Sequence, residues 1–288
     1  TTTSNYTIAI GFESLKALQG AGGNIAIGYS TAKLLTTGTD NVAIGYGALM
    51  AADGAEDNNV AIGSGAGMSI NNDASDDNVF IGTYAGKGGT GELDRCVAIG
   101  HNAMDGTGSI AGQQNIFIGD NAGGGSWTTA ASNSNVAIGA TAMADALNGA
   151  LGNTAVGHDT LKALTTGDYN VAIGFETGDA LTIGQYNVAI GKSALSAEDV
   201  GNGTVAIGLN SLISQNSDSD NEETNNTAVG MSTGYTLTTA THSTLIGTYA
   251  GEYISTQNNN TAIGAEAFRY IQGGYGNTAV GDLAMKSG

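Results

Sequence analysis

The pentapeptide Asn170-Val171-Ala172-Ile173-Gly174 recurs, with small changes, from one end of the chain to the other. There are 16 copies, and successive copies lie 17 to 22 residues apart. Their closing glycines are Gly11, Gly28, Gly45, Gly63, Gly82, Gly100, Gly119, Gly139, Gly157, Gly174, Gly191, Gly208, Gly230, Gly247, Gly264 and Gly281. An uninterrupted tandem repeat indicates an architecture in which each unit packs on its neighbours. We therefore predict a single repeat domain over residues 1–288, with longer loops at residues 45–157 and 208–230.

The three residues before each closing glycine alternate large, small and large, as in Val42-Ala43-Ile44. This composition predicts a short β-strand. Successive side chains of a strand point to opposite faces, so Val42 and Ile44 share one face and Ala43 occupies the other. Because neither face carries charge, we expect both to be buried, the alanine face against a partner chain.

Coils of nearly constant length, each with one such strand, predict an all-β parallel β-solenoid of about 16 coils. Each strand then pairs with the equivalent strands above and below it. The segment after the glycine, for example Leu161-Lys162-Ala163-Leu164, carries apolar residues three positions apart. This spacing fits either one helical turn per coil or an irregular second strand.

The first position of the motif is asparagine in 12 of the 16 copies. An amide at the same level of every coil predicts a stacked ladder of asparagine side chains. A row of exposed asparagines that binds a ligand is the alternative. The ladder residues are Asn24, Asn41, Asn59, Asn78, Asn115, Asn135, Asn153, Asn170, Asn187, Asn226, Asn260 and Asn277. Cys96 takes the place of one asparagine and is predicted to be a buried, unreactive thiol.

The charge balance is strongly acidic, with 8 Lys and Arg against 26 Asp and Glu and a net charge of −18. A nucleic-acid partner is not expected, because binding to phosphates requires a basic surface. The chain has no apolar run of the roughly 20 residues that cross a bilayer, so we predict no membrane insertion by this segment. Because the sequence starts with threonine and not methionine, we expect a processed chain or a fragment.

The residues that could carry chemistry are few. His101, His158 and His242 fall in different coils and have no serine or cysteine partner in a triad-like arrangement. We therefore predict a protein that is not an enzyme and has no organic cofactor. A polysaccharide-cleaving solenoid is an alternative, but it requires a convergent acid pair that the sequence does not indicate.

Two acidic loops are candidate calcium sites, since calcium prefers six to eight oxygen ligands. The candidate ligands are Asp73, Asp76 and Asp77 in one loop and Asp218 and Asp220 in the other. The spacing of known calcium-binding loops is missing, so solvated acidic loops are the alternative.

Candidate receptor contacts are the aromatic residues Trp127, Tyr84 and Tyr249. Trp127 is the only tryptophan and follows a glycine-rich stretch in a 20-residue coil, where an exposed ring would stack on a sugar. Alternatively, this ring closes off the apolar interior of its coil.

The motif Asn-(Ser/Thr/Val)-Ala-(Ile/Val)-Gly closely resembles the head repeats of YadA-like trimeric autotransporter adhesins. The longer unit that starts at Asn153-Thr154-Ala155-Val156-Gly157 is similar to repeats of the same head family in phage and prophage tail fibres. The resemblance covers about residues 5–286 and implies a left-handed β-roll, three chains side by side, and attachment to a cell or matrix surface. The repeat is longer here than in the autotransporter head.

Together these features predict a fibrous, trimeric adhesin module that is extracellular, on a virion tail fibre or a bacterial cell surface. Its partner would be a cell-surface glycan or protein receptor. The alternative is a purely structural rod or spacer within a fibre whose binding site lies elsewhere.

Overall fold

The computed structural model describes residues 6–270 and 273–286. Within this part the chain is an all-β parallel β-solenoid of about 16 turns without a helix, which confirms the predicted all-β solenoid. The chain divides into two compact units, residues 1–150 and 151–288. That residues 1–288 form a single domain stays a prediction, and the ends of that range lie outside the described residues.

In the first unit, three-residue strands form a parallel sheet in which each strand pairs in register with the next coil's strand. The strands are β1 (Ile8–Ile10), β2 (Ile25–Ile27), β3 (Val42–Ile44), β4 (Val60–Ile62), β5 (Val79–Ile81), β7 (Val97–Ile99), β9 (Ile116–Ile118) and β10 (Val136–Ile138). The longer coils add β6 (Leu93–Asp94) and β8 (Gly112–Gln113), which pair with each other in a separate parallel sheet. These coils belong to the segment in which the repeat spacing predicts longer loops.

The second unit repeats the arrangement with greater regularity. Its strands are β11 (Thr154–Val156), β12 (Val171–Ile173), β13 (Val188–Ile190), β14 (Val205–Ile207), β15 (Thr227–Val229), β16 (Thr244–Ile246), β17 (Thr261–Ile263) and β18 (Thr278–Val280). Pairing is like for like, with Val171 opposite Val188 and Ala172 opposite Ala189. The longest coil contains an isolated parallel bridge between Asn202 and Glu223.

The central residue of a strand points into the coil, and the flanking residues point outward. Ala172 is 1% exposed, whereas Ile173 beside it is 40% exposed. The same pattern holds in every three-residue strand from β2 to β18. The expectation that the alanine face meets a partner chain is therefore wrong, and in the single chain only the alanine face is buried. Where a large turn residue such as Leu161 already fills the interior, the strand centre is a small residue such as Ala155. Three strands carry Phe80, Phe117 or Leu245 at this buried position instead.

The segment after the closing glycine is neither a helix nor a strand, but a series of tight turns. Gly157, Asp159 and Leu161 all have positive φ, at 139°, 52° and 47°. The Leu164 amide donates to the Leu161 carbonyl at 3.1 Å, which closes a turn between two buried leucines. The apolar spacing of three thus arises from alternating left-handed and right-handed residues, a conformation that sequence propensity disfavours.

Candidate functional site

The first candidate surface is the outward face of the three-residue strands, which consists of two columns of side chains without a charge. One column contains the residue directly before each closing glycine. In the first unit it consists of Ile10, Ile27, Ile44, Ile62, Ile81, Ile99, Ile118 and Ile138. In the second unit it consists of Val156, Ile173, Ile190, Ile207, Val229, Ile246, Ile263 and Val280. These side chains are partly or largely exposed, although they are aliphatic throughout.

The other column contains the first residue of each strand. In the first unit all eight members are Ile or Val, whereas in the second unit five of the eight are threonine. The side of a sheet that faces solvent normally carries polar residues, and the apolar residues between them along each strand face the core. In the first unit both columns are aliphatic, and a continuous apolar surface of this kind marks an interaction site. We name these two columns the strand face.

A row of exposed aromatic rings borders the strand face in the first three coils. Phe12, Tyr29 and Tyr46 each follow a closing glycine and stack with centroid distances of 5.2 and 5.3 Å. Each coil places its ring directly above the equivalent ring of the coil before. The row therefore extends the apolar surface beyond the strands.

Further stacks occur in the second unit. Tyr169 and Tyr186 stack at 5.6 Å, and His158 and Phe175 stack at 5.3 Å, with the Lys192 ammonium group 5.6 Å from the Phe175 ring centre. Our sequence reasoning missed these rows. The signal that finds them is an aromatic residue at the same offset in consecutive 17-residue repeats.

The predicted ladder asparagines lie at equivalent levels inside the coils and are buried up to Asn260. In the stack at Asn170, the Nδ2 group donates to Asn153 Oδ1 at 3.0 Å and to the Gly184 carbonyl at 2.8 Å. Asn170 Oδ1 accepts the backbone N–H of Asn187 at 2.9 Å. Each amide thus joins its own turn to the neighbouring coils. Because these hydrogen bonds within the chain use the donor and acceptor groups of the side chain, few of them are left to bind an external ligand.

Cys96 occupies a ladder position, and its backbone N–H donates to Asn78 Oδ1 at 2.8 Å. Its thiol is buried and donates to the Gly112 carbonyl with a sulfur–oxygen distance of 3.1 Å. Burial raises the pKa of the Cys96 thiol to about 11. A thiol of this kind is a poor nucleophile at neutral pH.

Trp127 is only 3% exposed, so the expectation of an exposed ring is wrong. Its indole packs edge-on against Phe117 with a centroid distance of 6.3 Å and an interplanar angle of 88°. A Cβ on Gly112 would lie 2.7 Å from the indole, so this glycine makes room for the ring. The tryptophan closes the interior of its coil, which is the alternative that the sequence left open.

The other two candidate receptor contacts are at the surface but in different units. Tyr84 is exposed, and the Lys87 ammonium group lies 5.7 Å from its ring centre. Tyr249 is partly exposed beneath the Arg269 guanidinium, 4.6 Å from the ring centre. Both rings follow a closing glycine by two positions and have positive φ.

The five candidate calcium ligands do not form the two sites that the acidic loops suggested. Asp76 Oδ1 accepts the backbone N–H of Asp57 at 2.7 Å, while Asp77, Asp218 and Asp220 have exposed side chains. Only Asp73 belongs to a group of three close carboxylates, and that group is the single one of its kind in residues 6–270 and 273–286.

The histidines lie apart from one another. His101 Nδ1 lies 2.9 Å from Asp120 Oδ1 in the next coil, and His158 Nδ1 lies 3.0 Å from Asp159 Oδ2. His242 is exposed. No pocket opens in the described part of the chain.

None of the described residues belongs to a helix that is long and apolar enough to span a membrane. Comparison with known proteins gave no match, either to a family model or to a curated protein.

Proposed function

We propose that this chain is a fibrous, homotrimeric attachment module that works outside the cell, on a phage tail fibre or a bacterial surface. The observation that carries the proposal is the strand face, whose outward columns contain no charged residue in a chain of net charge −18. Such a face is stabilised when a second apolar surface covers it. The resemblance of the repeat to trimeric adhesin heads supports three copies of this chain as the partners.

The geometry of the strand face suits packing of identical chains. Its columns are in register within each unit, because each residue pairs with its counterpart in the next coil. Like-charged groups would repel across an interface between identical acidic chains. The strand face keeps such groups away from the contact.

Oligomeric state tests this part of the proposal. We expect the purified protein to be a trimer by native mass spectrometry and light scattering. Ile62→Glu with Ile81→Glu places carboxylates in the interface and should yield monomers. Ala74→Glu with Ser109→Glu is the matched control, since it adds the same two charges at exposed loop positions of the same unit. A wild-type protein that is a stable monomer contradicts the proposal.

The attachment role predicts saturable binding to a glycan or protein on a cell surface. Tyr84 and Tyr249 are the aromatic candidates, since exposed rings stack on apolar faces of ligands. Glycan-array and whole-cell binding of the trimer should weaken in Tyr84→Ala, Tyr249→Ala or a variant with residues 216–225 shortened. Variants that lose binding must keep the trimer and the circular dichroism spectrum of the wild type.

A structural spacer is the second candidate function. It is favoured by the regularity of the coils from Gly157 to Gly208, where each 17-residue repeat presents the same surface again. A trimer that binds no array glycan and no target cell, in all variants alike, favours the spacer over the attachment module.

A further inference from the structure

Three carboxylates from consecutive coils of the first unit converge at one place. Asp53 and Glu56 lie between β3 and β4, and Asp73 lies between β4 and β5. One oxygen of each group lies within 4.8 Å of the others, so a central point lies within about 2.8 Å of all three. Asp53 and Asp73 are exposed, whereas Glu56 is fully buried. The cluster therefore has a buried floor and an open side.

Glu56 is the group that needs explanation. Its Oε2 accepts the backbone N–H of Gly54 at 3.0 Å, but its Oε1 is buried and has no hydrogen-bond partner. Burial is the main cause that raises the Glu56 pKa, and the negative Asp73 and Asp53 raise it further. A buried carboxylate without a partner is strongly destabilising unless a positive charge compensates it.

A second buried glutamate shows how this chain satisfies such a group with its own donors. Glu198 is also fully buried. Its Oε1 accepts the Gly201 N–H at 2.7 Å, and its Oε2 accepts Gln215 Nε2 at 2.8 Å and Ser217 Oγ at 3.0 Å. Both oxygens have partners there. The lack of a hydrogen-bond partner at Glu56 Oε1 is thus a local property and not a general feature of buried glutamates in this fold.

The backbone is shaped to let the carboxylates approach. A Cβ on Gly54 would lie 1.8 Å from Asp73 Oδ1, so only glycine leaves room for that carboxylate. The Ala55 N–H donates to the same oxygen at 3.2 Å and fixes its position. The Gly54 peptide therefore lies between Asp73 and Glu56, in contact with both.

We propose that Asp53, Glu56 and Asp73 together bind one calcium ion. Calcium accepts oxygen ligands at about 2.3–2.6 Å in flexible geometry, which the spread of these three oxygens accommodates with small shifts. Magnesium requires shorter distances of about 2.0–2.1 Å and a strict octahedron. Glu56 supplies the buried ligand, and water completes the shell on the exposed side. The ion would cross-link the loops of consecutive coils.

Calorimetric titration of the chelator-treated 288-residue chain with calcium chloride tests the site directly. We expect one calcium ion per chain. Asp73→Asn keeps the oxygen that Ala55 contacts but removes its charge, and should weaken binding at least ten-fold. Glu56→Gln should abolish measurable binding. Asp77→Asn is the matched control, because it removes one charge from the same loop at an exposed position outside the cluster, and its affinity should stay within two-fold of the wild type.

Thermal unfolding provides a second readout that does not depend on heat of binding. At one calcium concentration, the unfolding temperature should rise in the wild type and in Asp77→Asn, and it should rise less in Asp73→Asn. Glu198→Gln should be less stable than the wild type yet keep its calcium response. If Glu56→Gln does not fold, Asp73→Asn decides. No calcium binding by the wild type, wild-type binding by Asp73→Asn, or an equal loss in Asp77→Asn would overturn the proposal.

Discussion

Phe80 occupies the space that a side chain on Gly86 would need, because a Cβ on Gly86 would lie 2.0 Å from Phe80 Cδ1. Phe117 and Gly123 are related in the same way, with 2.7 Å to Phe117 Cδ2. Coils with alanine at the strand centre have room for a large residue in the turn. In the coil of Ala43, Leu49 occupies the turn position that is equivalent to Gly86 and Gly123. The strand centre and the turn thus share one interior volume.

We predict that a smaller side chain at position 80 and a larger one at position 86 compensate for each other. Phe80→Ala should cost about 3–5 kcal/mol because it leaves a cavity. Gly86→Leu alone should be at least as destabilising, since the new side chain collides with Phe80. The double variant recreates the Ala43 and Leu49 arrangement, so its loss should be about 2 kcal/mol smaller than the sum. Urea unfolding of the four proteins measures this cycle, and additive losses would contradict shared volume.

The closing glycines should tolerate no side chain. Gly157 has a φ of 139°, and a Cβ there would lie 2.0 Å from the Gly174 carbonyl oxygen of the next coil. Gly157→Ala combines backbone strain with a backbone clash, and should cost about 3 kcal/mol or more. Gly273→Ala is the control, because a Cβ there meets nothing within 4 Å. Equal unfolding temperatures for the two variants would show that stacking at the glycine is not tight.

The asparagine ladder should contribute to stability one rung at a time. Asn170→Ala removes the acceptor of the Asn187 N–H and the donor to the Gly184 carbonyl, and leaves both groups buried. We expect a loss of about 2–4 kcal/mol, since each unsatisfied buried group costs about 1–3 kcal/mol. Asn216→Ala, at an exposed position, should change stability by less than about 0.5 kcal/mol. Chemical denaturation compares them, and similar small losses in both would refute a structural ladder.

Stability should rise on mild acidification. Asp105 and Asp179 each have a buried, unpartnered Oδ1, and burial is the main cause that raises the pKa of both carboxyls above 3.8. In the folded state they bind protons at a pH where the unfolded chain does not. The unfolding free energy therefore increases as pH falls through the window between the raised pKa and 3.8, and decreases as pH rises through it.

Urea unfolding between about pH 4 and 7, with chelator present, measures this dependence. Asp105→Asn combined with Asp179→Asn should reduce the slope, whereas Asp218→Asn, which changes an exposed side chain, should not. An unchanged slope in the double variant would mean that other groups control the pH response.

The repeat period and the alternation within each motif were enough to predict the strands, their parallel like-for-like pairing and the positions of the asparagines. Those features follow from local periodicity, which is already visible in the alternation of large and small residues in Val171-Ala172-Ile173. Which side of the strand faces inward depends instead on the width of the coil, and turn residues such as Leu161 fill its interior only once the turns have formed. The left-handed turn residues were hidden for the same reason, since backbone strain is compensated by stacking between coils.

The burial of Trp127 and the meeting of Asp53, Glu56 and Asp73 depended on contacts between coils. Residues that are about 20 positions apart become neighbours when the coil closes, and a change of one residue in coil length moves them to another side. The alternation of residues within the strands does not specify which residues of the longer loops come into contact. Composition and period therefore specify what kind of solenoid the chain forms, while the cross-section of each coil selects the side chains that reach its interior and its surface.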